Sequence, residues 1–297
     1  MSAPERITPE LLRRWPLPEP SGERGKDSRG RVLVVAGGRQ TPGAALLAAE
    51  SSLRAGAGKL QIATVESLAA PIAVSTPEAL VLALAETDAG GPTPAAAQKL
   101  CDRIQACDAL LLGPGLPDDD DTAELARRIL AGLGPDGPAL ALDAAAMSGL
   151  AAMVELLHAR HGRVVLTPHA GEMATLLDRS REAVEAEPLA TAREAAQRLG
   201  CVVALKGATT HIAAPDGRAW VNENGCVGLG TSGSGDTLAG LVAGLLARGA
   251  EPAQALVWGV YVHAEAGSRL AKRIGELGFL ARELPAEMPG ILAELAR

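Results

Sequence analysis

The chain has 297 residues, of which 47% are hydrophobic, 21% are charged and only 2% are aromatic, and its formal net charge is −7 at pH 7. This composition is typical of a globular protein whose core is built from Ala, Leu, Val and Ile, the residues that buried parallel strands and their covering helices use. The negative charge and the few aromatic rings argue against nucleic-acid binding, which needs basic surfaces and stacking platforms.

The amino end and the cysteines indicate the compartment. The cysteines are Cys101, Cys107, Cys201 and Cys226. They form no C-x-x-C pair and no regular pattern with histidine, so we expect buried, reduced thiols rather than a zinc site or a disulfide framework. The first residues lack the apolar segment of a signal peptide, and no apolar run approaches the roughly 20 residues of a bilayer span. We therefore predict a cytoplasmic protein without membrane contact.

Helix and strand signals alternate along the whole chain. Thr8 and Pro9 open a short helix as its cap and first residue. A strand at 31–36, a helix at 44–56 and a strand at 59–65 then form a βαβ unit. Further strands are predicted at 79–84, 109–112, 139–142, 164–166 and 202–205, a hairpin at 212–214 and 219–221, and helices near 95–106, 254–270 and 285–296.

The predicted architecture places several strand ends together. No linker, low-complexity segment or repeat divides the chain, so we predict one domain over residues 1–297. Its class is α/β, a three-layer sandwich with a mostly parallel central sheet and helices on both faces. In such a sheet, ligands bind beyond the carboxyl ends of the strands. Buried strands here end at Asp143, Thr167 and Lys206, which are therefore candidates for one cleft.

Four adjacent carboxylates, at 118–121, precede an Ala/Glu/Leu/Arg-rich helix. They could form a metal cluster, but acidic residues at a helix start more often cap the helix and favour its positive end. We predict the capping role.

A glycine-rich segment joins directly to an apolar helix late in the chain. Its glycines include Gly228, Gly230, Gly233 and Gly235. Glycines allow positive φ and close approach, so consecutive amide groups can converge on one anion. The helix start adds its dipole, and the hydroxyls of Thr231 and Ser234 are further candidate donors. The segment therefore predicts a phosphate site.

Asp236 is the unusual residue of this segment. A carboxylate beside gathered amides repels an anionic ligand unless it accepts a proton or works through a metal ion, so we predict that Asp236 is a general base. The alternative is that Asp236 only caps the helix. Residues 228–233 also match G-x-G-x-x-G, but a dinucleotide fingerprint closes the first strand of a βαβ unit, and this match lies late in the chain.

Motifs spread over most of the chain resemble those of one known family. The most specific is Thr-Pro-His-Ala-Gly-Glu at 167–172, whereas Gly-Ser-Gly-Asp at 233–236 is shared with vitamin and sugar kinases. Other matching segments lie at 30–38, 42–44, 113–116, 206–210 and 222–240. Together they resemble the ADP- or ATP-dependent NAD(P)H-hydrate dehydratases, a branch of the ribokinase-like superfamily that repairs hydrated nicotinamide cofactors.

The resemblance implies a ribokinase-like sandwich with two groups of ligand-binding residues. Those implied to bind the adenine nucleotide are Lys206, Gly207, Ala208, Thr209, Thr210, Gly233, Ser234 and Gly235. Those implied to face the hydrated nicotinamide are Ala44, Gly115, His169 and Asp236. Mg²⁺ is implied to bridge the nucleotide oxygens, and no protein side chain is expected as a metal ligand.

The implied reaction is the ADP- or ATP-dependent dehydration of the S epimer of hydrated NADH or NADPH. Hydroxide is a poor leaving group, so phosphorylating the ring hydroxyl and then expelling phosphate divides a difficult elimination into two easier steps. Asp236 would deprotonate the hydroxyl, and the loop amides would stabilise the transferred phosphoryl group. The resemblance also implies a homo-oligomer, with a tetramer as one form, and action alone or beside a separate epimerase.

Alternatives exist for single residues and for the whole chain. His169 could be a structural residue at a helix start, Lys206 a solvated strand-end lysine, and Glu172 a first-turn acid. The chain could be a small-molecule kinase acting on a vitamin precursor or sugar, or a nucleotide sensor without turnover. The retained Asp236 argues against the sensor, and the segment at 167–172 favours the dehydratase over the kinase. Departures from the family pattern are Pro117, Ala145, Cys226, Gly230 and Ser232.

Overall fold

The computed structural model describes residues 3–19 and 25–297. The strands are β1 (Glu5–Arg6), β2 (Arg31–Val35), β3 (Lys59–Val65), β4 (Ala79–Leu84), β5 (Ala109–Leu112), β6 (Ala139–Leu142), β7 (Val164–Leu166), β8 (Val202–Leu205), β9 (Thr210–Ala213) and β10 (Ala219–Asn222). The α-helices are α1 (Pro9–Arg14), α2 (Gly43–Arg54), α3 (Glu66–Ser75), α4 (Ala96–Gln105), α5 (Asp120–Ala131), α6 (Val154–His158), α7 (Ala170–Leu177), α8 (Arg181–Ala186), α9 (Pro188–Leu199), α10 (Ser234–Ala247), α11 (Pro252–Arg273) and α12 (Leu284–Leu295). Residues 1–2 and 20–24, which the predicted domain includes, lie outside the described residues.

The strands named above form one sheet in the order β1-β10-β9-β8-β7-β6-β5-β2-β3-β4. The strands from β8 to β4 in this order run parallel to one another, β9 runs antiparallel to both β8 and β10, and β1 is parallel to β10. The mostly parallel sheet is therefore confirmed. The carboxyl ends of β2, β5, β6, β7, β8 and β10 meet at one edge, together with the turn from β8 to β9.

Successive side chains of β2 enter separate cores on the two faces of the sheet. Val32 and Val34 pack in a cluster that contains residues of α2, α10, α11 and α12. Leu33 and Val35 pack in a second cluster with residues of α4 to α9. Because both faces are covered, the parallel strands are continuous apolar runs rather than alternating ones. The predicted three-layer sandwich is confirmed.

Helices α2 and α10 lie in backbone contact. A Cβ atom built on Gly240 would lie 2.2 Å from the Ala48 carbonyl oxygen, and one on Gly244 would lie 2.4 Å from the Ser52 carbonyl oxygen. The Ser52 hydroxyl donates to the Gly240 carbonyl oxygen at 2.9 Å. Only glycine allows this approach, and it fixes the start of α10 relative to the start of α2.

Two predicted helix caps are present. The Thr8 hydroxyl accepts a hydrogen bond from the Leu11 N–H at 3.2 Å. The Asp119 carboxylate accepts one from the Thr122 N–H at 2.9 Å and caps α5. The capping role predicted for the carboxylates at 118–121 is therefore confirmed at Asp119.

All four cysteines are free thiols; Cys107 and Cys201 are buried, whereas Cys101 and Cys226 are half-buried. Burial raises the pKa of the Cys107 thiol to about 12, so this thiol stays protonated at neutral pH. Within residues 3–19 and 25–297, no helix is both long and apolar enough to cross a membrane.

Candidate active site

The glycine segment forms the start of α10 at the carboxyl edge of the sheet. Gly233 is the residue before the helix and has φ +87°, a conformation that favours glycine. A Cβ atom on Gly233 would lie 2.5 Å from Cδ1 of Leu47 on α2, so a larger residue does not fit. The N–H groups of Gly235 and Asp236 donate to no acceptor among the described residues. The helix start therefore presents two free donors, as an anion site requires.

Lys206 directly follows β8 and reaches this helix start. A Cβ atom on Gly235 would lie 3.5 Å from the Lys206 Nζ, and the same Nζ lies 3.3 Å from Asp143 Oδ1. Burial lowers the pKa of Lys206, but the carboxylates of Asp143, Glu172 and Asp236 together outweigh it, so the pKa is raised. The ammonium group therefore remains charged beside the free amides.

Asp143 directly follows β6 and is buried, with 3% of its surface exposed. Its Oδ1 also accepts a hydrogen bond from the Thr167 hydroxyl, at 2.6 Å. Thr167 follows β7, the strand that pairs with β6 in parallel. The predicted meeting of the strand ends at Asp143, Thr167 and Lys206 is confirmed.

Asp236 is the third residue of α10 and is half-buried. Burial raises its pKa, the charge of Asp143 raises it further and Lys206 partly offsets both, so that the pKa is about 6. The Asp236 carboxylate accepts no hydrogen bond from the part of the chain that the structure describes, and the helix has no side-chain cap. The capping alternative for Asp236 is therefore wrong, because Gly233 occupies the cap position.

His169 begins α7 in a capping box with Glu172. The His169 Nδ1 accepts the N–H groups of Gly171 and Glu172 at 2.9 and 3.1 Å, and Glu172 Oε2 accepts the His169 N–H at 2.7 Å. An accepting Nδ1 leaves the ring proton of the neutral imidazole on Nε2. The structure thus shows the helix-start role for both residues. The Nε2 of the exposed His169 ring lies 3.7 Å from Glu172 Oε1, beyond hydrogen-bond distance.

Ala44 and Gly115 meet where the loops after β2 and β5 join. Gly115 has φ +68°, and a Cβ atom there would lie 2.6 Å from the Ala44 Cβ and 2.6 Å from the Thr41 carbonyl oxygen. The Thr41 hydroxyl donates to the Gly115 carbonyl oxygen at 2.6 Å. One helical turn beyond Ala44, Leu47 contacts Gly233, so this wall adjoins the glycine segment.

The turn from β8 to β9 extends the same edge beyond Lys206. Gly207 and Ala208 are exposed, and Thr209 is half-buried. Thr210 begins β9 and pairs with Asn222, the last residue of β10. The hydroxyls of Thr209 and Thr210 have no hydrogen-bond partner among residues 3–19 and 25–297. The turn therefore offers open donors along the edge that leads to the glycine segment.

Ser234 is held by a histidine that sequence reasoning missed. His263, from the middle of α11, places its Nε2 3.0 Å from the Ser234 carbonyl oxygen and 3.1 Å from its Oγ. Ser234 is buried, so its hydroxyl faces the protein interior, which corrects the prediction that this hydroxyl donates to a phosphate.

Asp143 and Thr167 were placed in the cleft by their strand ends, but their mutual hydrogen bond could be found only from the pairing of β6 with β7.

Comparison with known proteins identifies one family. A model of the NAD(P)H-hydrate dehydratases matches residues 32–289 of the chain. An ADP-dependent (S)-NAD(P)H-hydrate dehydratase of Xanthomonas campestris is 50% identical over 292 residues, which are 98% of this chain and 97% of that protein.

Solved structures agree with this comparison. An ADP/ATP-dependent NAD(P)H-hydrate dehydratase of Bacillus subtilis, co-crystallised with ATP and Mg²⁺, superposes with a TM-score of 0.81 at 29% identity, covering 99% of this chain and 100% of that chain. A ribokinase-like superfamily protein of Enterococcus faecalis gives a TM-score of 0.84 at 26% identity, covering 98% and 96% of the two chains. The ribokinase-like form of the predicted sandwich is confirmed.

Proposed function

Because the chain belongs to the NAD(P)H-hydrate dehydratase family, we propose that it uses ADP or ATP to convert the S epimer of hydrated NADH or NADPH back to NADH or NADPH. One observation supports this most directly. A carboxylate whose pKa is raised to about 6 stands beside two free helix amides and a charged lysine. A base and an anion site are the two elements that phosphorylation of a hydroxyl group requires.

The first step forms a bond between the ring hydroxyl oxygen and the terminal phosphorus of the nucleotide, and the bond from that phosphorus to its bridging oxygen breaks. Asp236 takes the hydroxyl proton. The Gly235 and Asp236 amides and the Lys206 ammonium stabilise the charge on the transferred group. The remaining nucleotide then leaves: it is AMP when ADP is the phosphoryl donor and ADP when ATP is the donor.

In the second step the electron pair of the ring nitrogen forms a C=N bond as the C–O bond to the phosphate breaks. The neighbouring ring carbon then loses a proton to the departing phosphate, the electrons of that C–H bond form the C=C bond of the dihydronicotinamide, and the electron pair returns to the nitrogen. Phosphate is a much better leaving group than hydroxide. The same amides and Lys206 are placed to stabilise it as it departs. The nucleotide thus supplies the driving force, and the protein supplies the base and the anion site.

Two walls bind the two substrates in this proposal. The hydrated ring lies against Ala44 and Gly115, where small residues leave space, with the Nε2–H of His169 as a donor and Asp236 at the reacting hydroxyl. The nucleotide lies along the edge formed by two short segments. Its contacts are Lys206, Gly207, Ala208, Thr209, Thr210, Gly233 and Gly235, while Ser234 shapes the helix start.

Mg²⁺ would reach the site on the nucleotide. No three His, Cys, Asp or Glu side chains gather as a metal cage in residues 3–19 and 25–297. Magnesium typically binds substrate phosphates and keeps several of its waters, so this arrangement fits an ion that the phosphate oxygens hold. When bound there, it neutralises phosphate charge.

The cellular setting is also part of the proposal. A single domain is supported by the one sheet that holds every strand of the described residues, and a cytoplasmic location by the free thiols. An enzyme specific for the S epimer leaves the R epimer unrepaired, which supports cooperation with a separate epimerase. We include a homo-oligomer, with a tetramer as one form, and no nucleic-acid partner, which the net charge of −7 supports.

The test is incubation of the protein with the purified S hydrate of NADH, Mg²⁺ and either ADP or ATP. We expect the dihydronicotinamide absorbance to return, together with one AMP per molecule repaired when ADP is used. Repeating the assay with hydrated NADPH and with the R epimer defines the substrate. No return of absorbance with either nucleotide would overturn the proposal, and accumulation of a stable phosphate ester of another hydroxyl compound would identify a kinase.

A further inference from the structure

Asp143, the acid that directly follows β6, is buried and contacts residues that follow two neighbouring strands. Asp143 Oδ1 accepts the Thr167 hydroxyl at 2.6 Å and lies 3.3 Å from Lys206 Nζ, so one buried oxygen joins the ends of β6, β7 and β8. Burying a carboxylate is costly unless it is paired and hydrogen-bonded. Joining strand ends alone does not require a charge, since neutral side chains achieve this at lower cost.

The backbone around Asp143 is adapted to place it there. Ala144, the next residue, has φ +49°, a left-handed conformation that is unfavourable for a non-glycine residue. Gly113 has φ +125°, and a Cβ atom on it would lie 1.8 Å from the Asp143 carbonyl oxygen. The backbone conformations of Ala144 and Gly113 thus fix the position of the Asp143 carboxylate at the edge of the sheet.

Lys206 is the group that this carboxylate controls. Glu172 and Asp236 are near enough to raise its pKa, but only Asp143 forms an ion pair with Lys206 among the described residues. The lysine side chain is flexible, and its ammonium must stay at the N-terminus of α10 to meet a phosphoryl group. We propose that Asp143, oriented by Thr167, is a positioning residue that holds the Lys206 ammonium beside the free amides at the start of α10 and the Asp236 carboxylate. This inference rests on the proposed function, because it gives Lys206 a phosphate to meet.

The first experiment compares Thr167→Val with Thr167→Ser by calorimetric titration with ADP and Mg²⁺. Valine keeps the shape but removes the hydroxyl donor, whereas serine keeps the donor. Losing one positioning hydrogen bond should weaken ADP binding about 2- to 12-fold in the valine variant. The serine variant should stay within about twofold of the wild type. Equal affinities in the two variants overturn the proposal.

The second experiment tests whether Thr167 acts through Lys206, as a double-mutant cycle does. In a Lys206→Met background, Thr167→Val should change the ADP affinity less than about twofold, because there is no ammonium left to position. A full effect in that background means that Thr167 supports the fold and not Lys206, and it overturns the proposal. Both binding experiments remain informative if hydrate repair fails, so the two hypotheses fail separately.

The third experiment is the pH profile of kcat/KM in Asp143→Asn. The charged groups that face Asp236 are Asp143 and Lys206, with Glu172 beyond the lysine and His263 uncharged behind Ser234. Asparagine removes the anion that favours protonation of Asp236, so the acid limb should move to lower pH. In Thr167→Val the charge of Asp143 remains but Lys206 is held less well and offsets it less, so the acid limb should not move to lower pH. An unmoved limb in Asp143→Asn overturns the role of Asp143 beside Asp236.

Discussion

The imidazole of His263 lies 3.0 Å from the carbonyl oxygen of Ser234, from Nε2 to O, and ties the middle of α11 to the first residue of α10. Burial lowers the pKa of His263 from 6.5 to about 4, so the ring is neutral in the folded protein. Between these values the unfolded chain binds more protons than the folded one. The contribution of His263 to stability is therefore complete above about pH 6.5 and is lost as the pH falls toward 4.

The free energy of unfolding in urea, measured from pH 7.5 to 4.5, checks this dependence against His263→Gln. Glutamine can donate to the Ser234 carbonyl oxygen but does not titrate, so its stability should vary less with pH. The comparison is needed because Asp236, whose pKa is raised, titrates in the same range with the opposite sign. If the variant loses stability on acidification as steeply as the wild type, His263 is not the titrating group.

Asp236→Asn should separate chemistry from stability. The asparagine cannot accept the hydroxyl proton, so turnover should fall about 10²- to 10⁴-fold, as for the loss of a general base. ADP should bind at least as well, since one negative charge is removed from beside the phosphates. Because the Asp236 side chain caps nothing, the free energies of unfolding of Asp236→Ala and Asp236→Asn should differ by less than about 0.5 kcal/mol, as for substitutions that remove no cap. A near wild-type rate in the asparagine variant would rule out the base.

The pH dependence of kcat/KM should show the pKa of Asp236. The base works as the carboxylate, so activity should rise with pH through an acid limb near 6, the value to which burial and Asp143 raise its pKa. An unperturbed aspartate would place this limb near 4. Steady-state rates between pH 4.5 and 8, with the fold checked by circular dichroism at each pH, decide between the two.

Two glycines of the same segment should respond differently to an added side chain. Gly235 is helical, and outside its own helix and chain neighbours the Lys206 Nζ, at 3.5 Å, is the one atom of the described residues within 4 Å of a Cβ atom built on it. Gly235→Val should therefore fold but weaken ADP and ATP binding severely, because the methyl groups occupy the phosphate position. Gly233 has φ +87° and Leu47 at 2.5 Å, so Gly233→Ala should lower the stability of the fold by about 1–3 kcal/mol.

Calorimetric titration measures the nucleotide affinity of both glycine variants, and thermal unfolding measures their stability. Unchanged nucleotide affinity in a folded Gly235→Val would remove the start of α10 from the nucleotide site. Wild-type stability in Gly233→Ala would show that the left-handed turn tolerates a side chain.

The strands were predictable because strands buried on both faces are continuous apolar runs that end abruptly in polar residues, as at Asp143 and Lys206. The pair Glu5–Arg6 gave no such signal, since β1 is an exposed polar edge that depends on its pairing with β10. Helix α3 has little amphipathic pattern and contains Pro71, and α8 and α9 follow one another closely. Tertiary packing determines these elements more than local sequence does.

Sequence patterns could indicate a candidate site where its residues lie within one segment, as in the glycine segment with Asp236, whose ligand-binding and catalytic roles stay predictions. The site was not predictable where partners come from distant segments. His263 lies within an apolar helix, where a lone histidine carries no sequence signal, and its contact with Ser234 depends on how α10 and α11 pack. The direction of the Ser234 hydroxyl was wrong for the same reason.

The backbone contact of α2 with α10, made possible by Gly240 and Gly244, fixes the start of one helix relative to the start of the other. The start of α2 carries Ala44, and the start of α10 carries the free amides of Gly235 and Asp236. Because the two helices are packed in backbone contact, the distance between their starts is fixed, and in the proposed function this distance sets the separation of the ring hydroxyl and the phosphoryl group before either substrate binds. We expect that any conformational adjustment to the nucleotide occurs instead in the turn at Gly207 and Ala208, which is exposed.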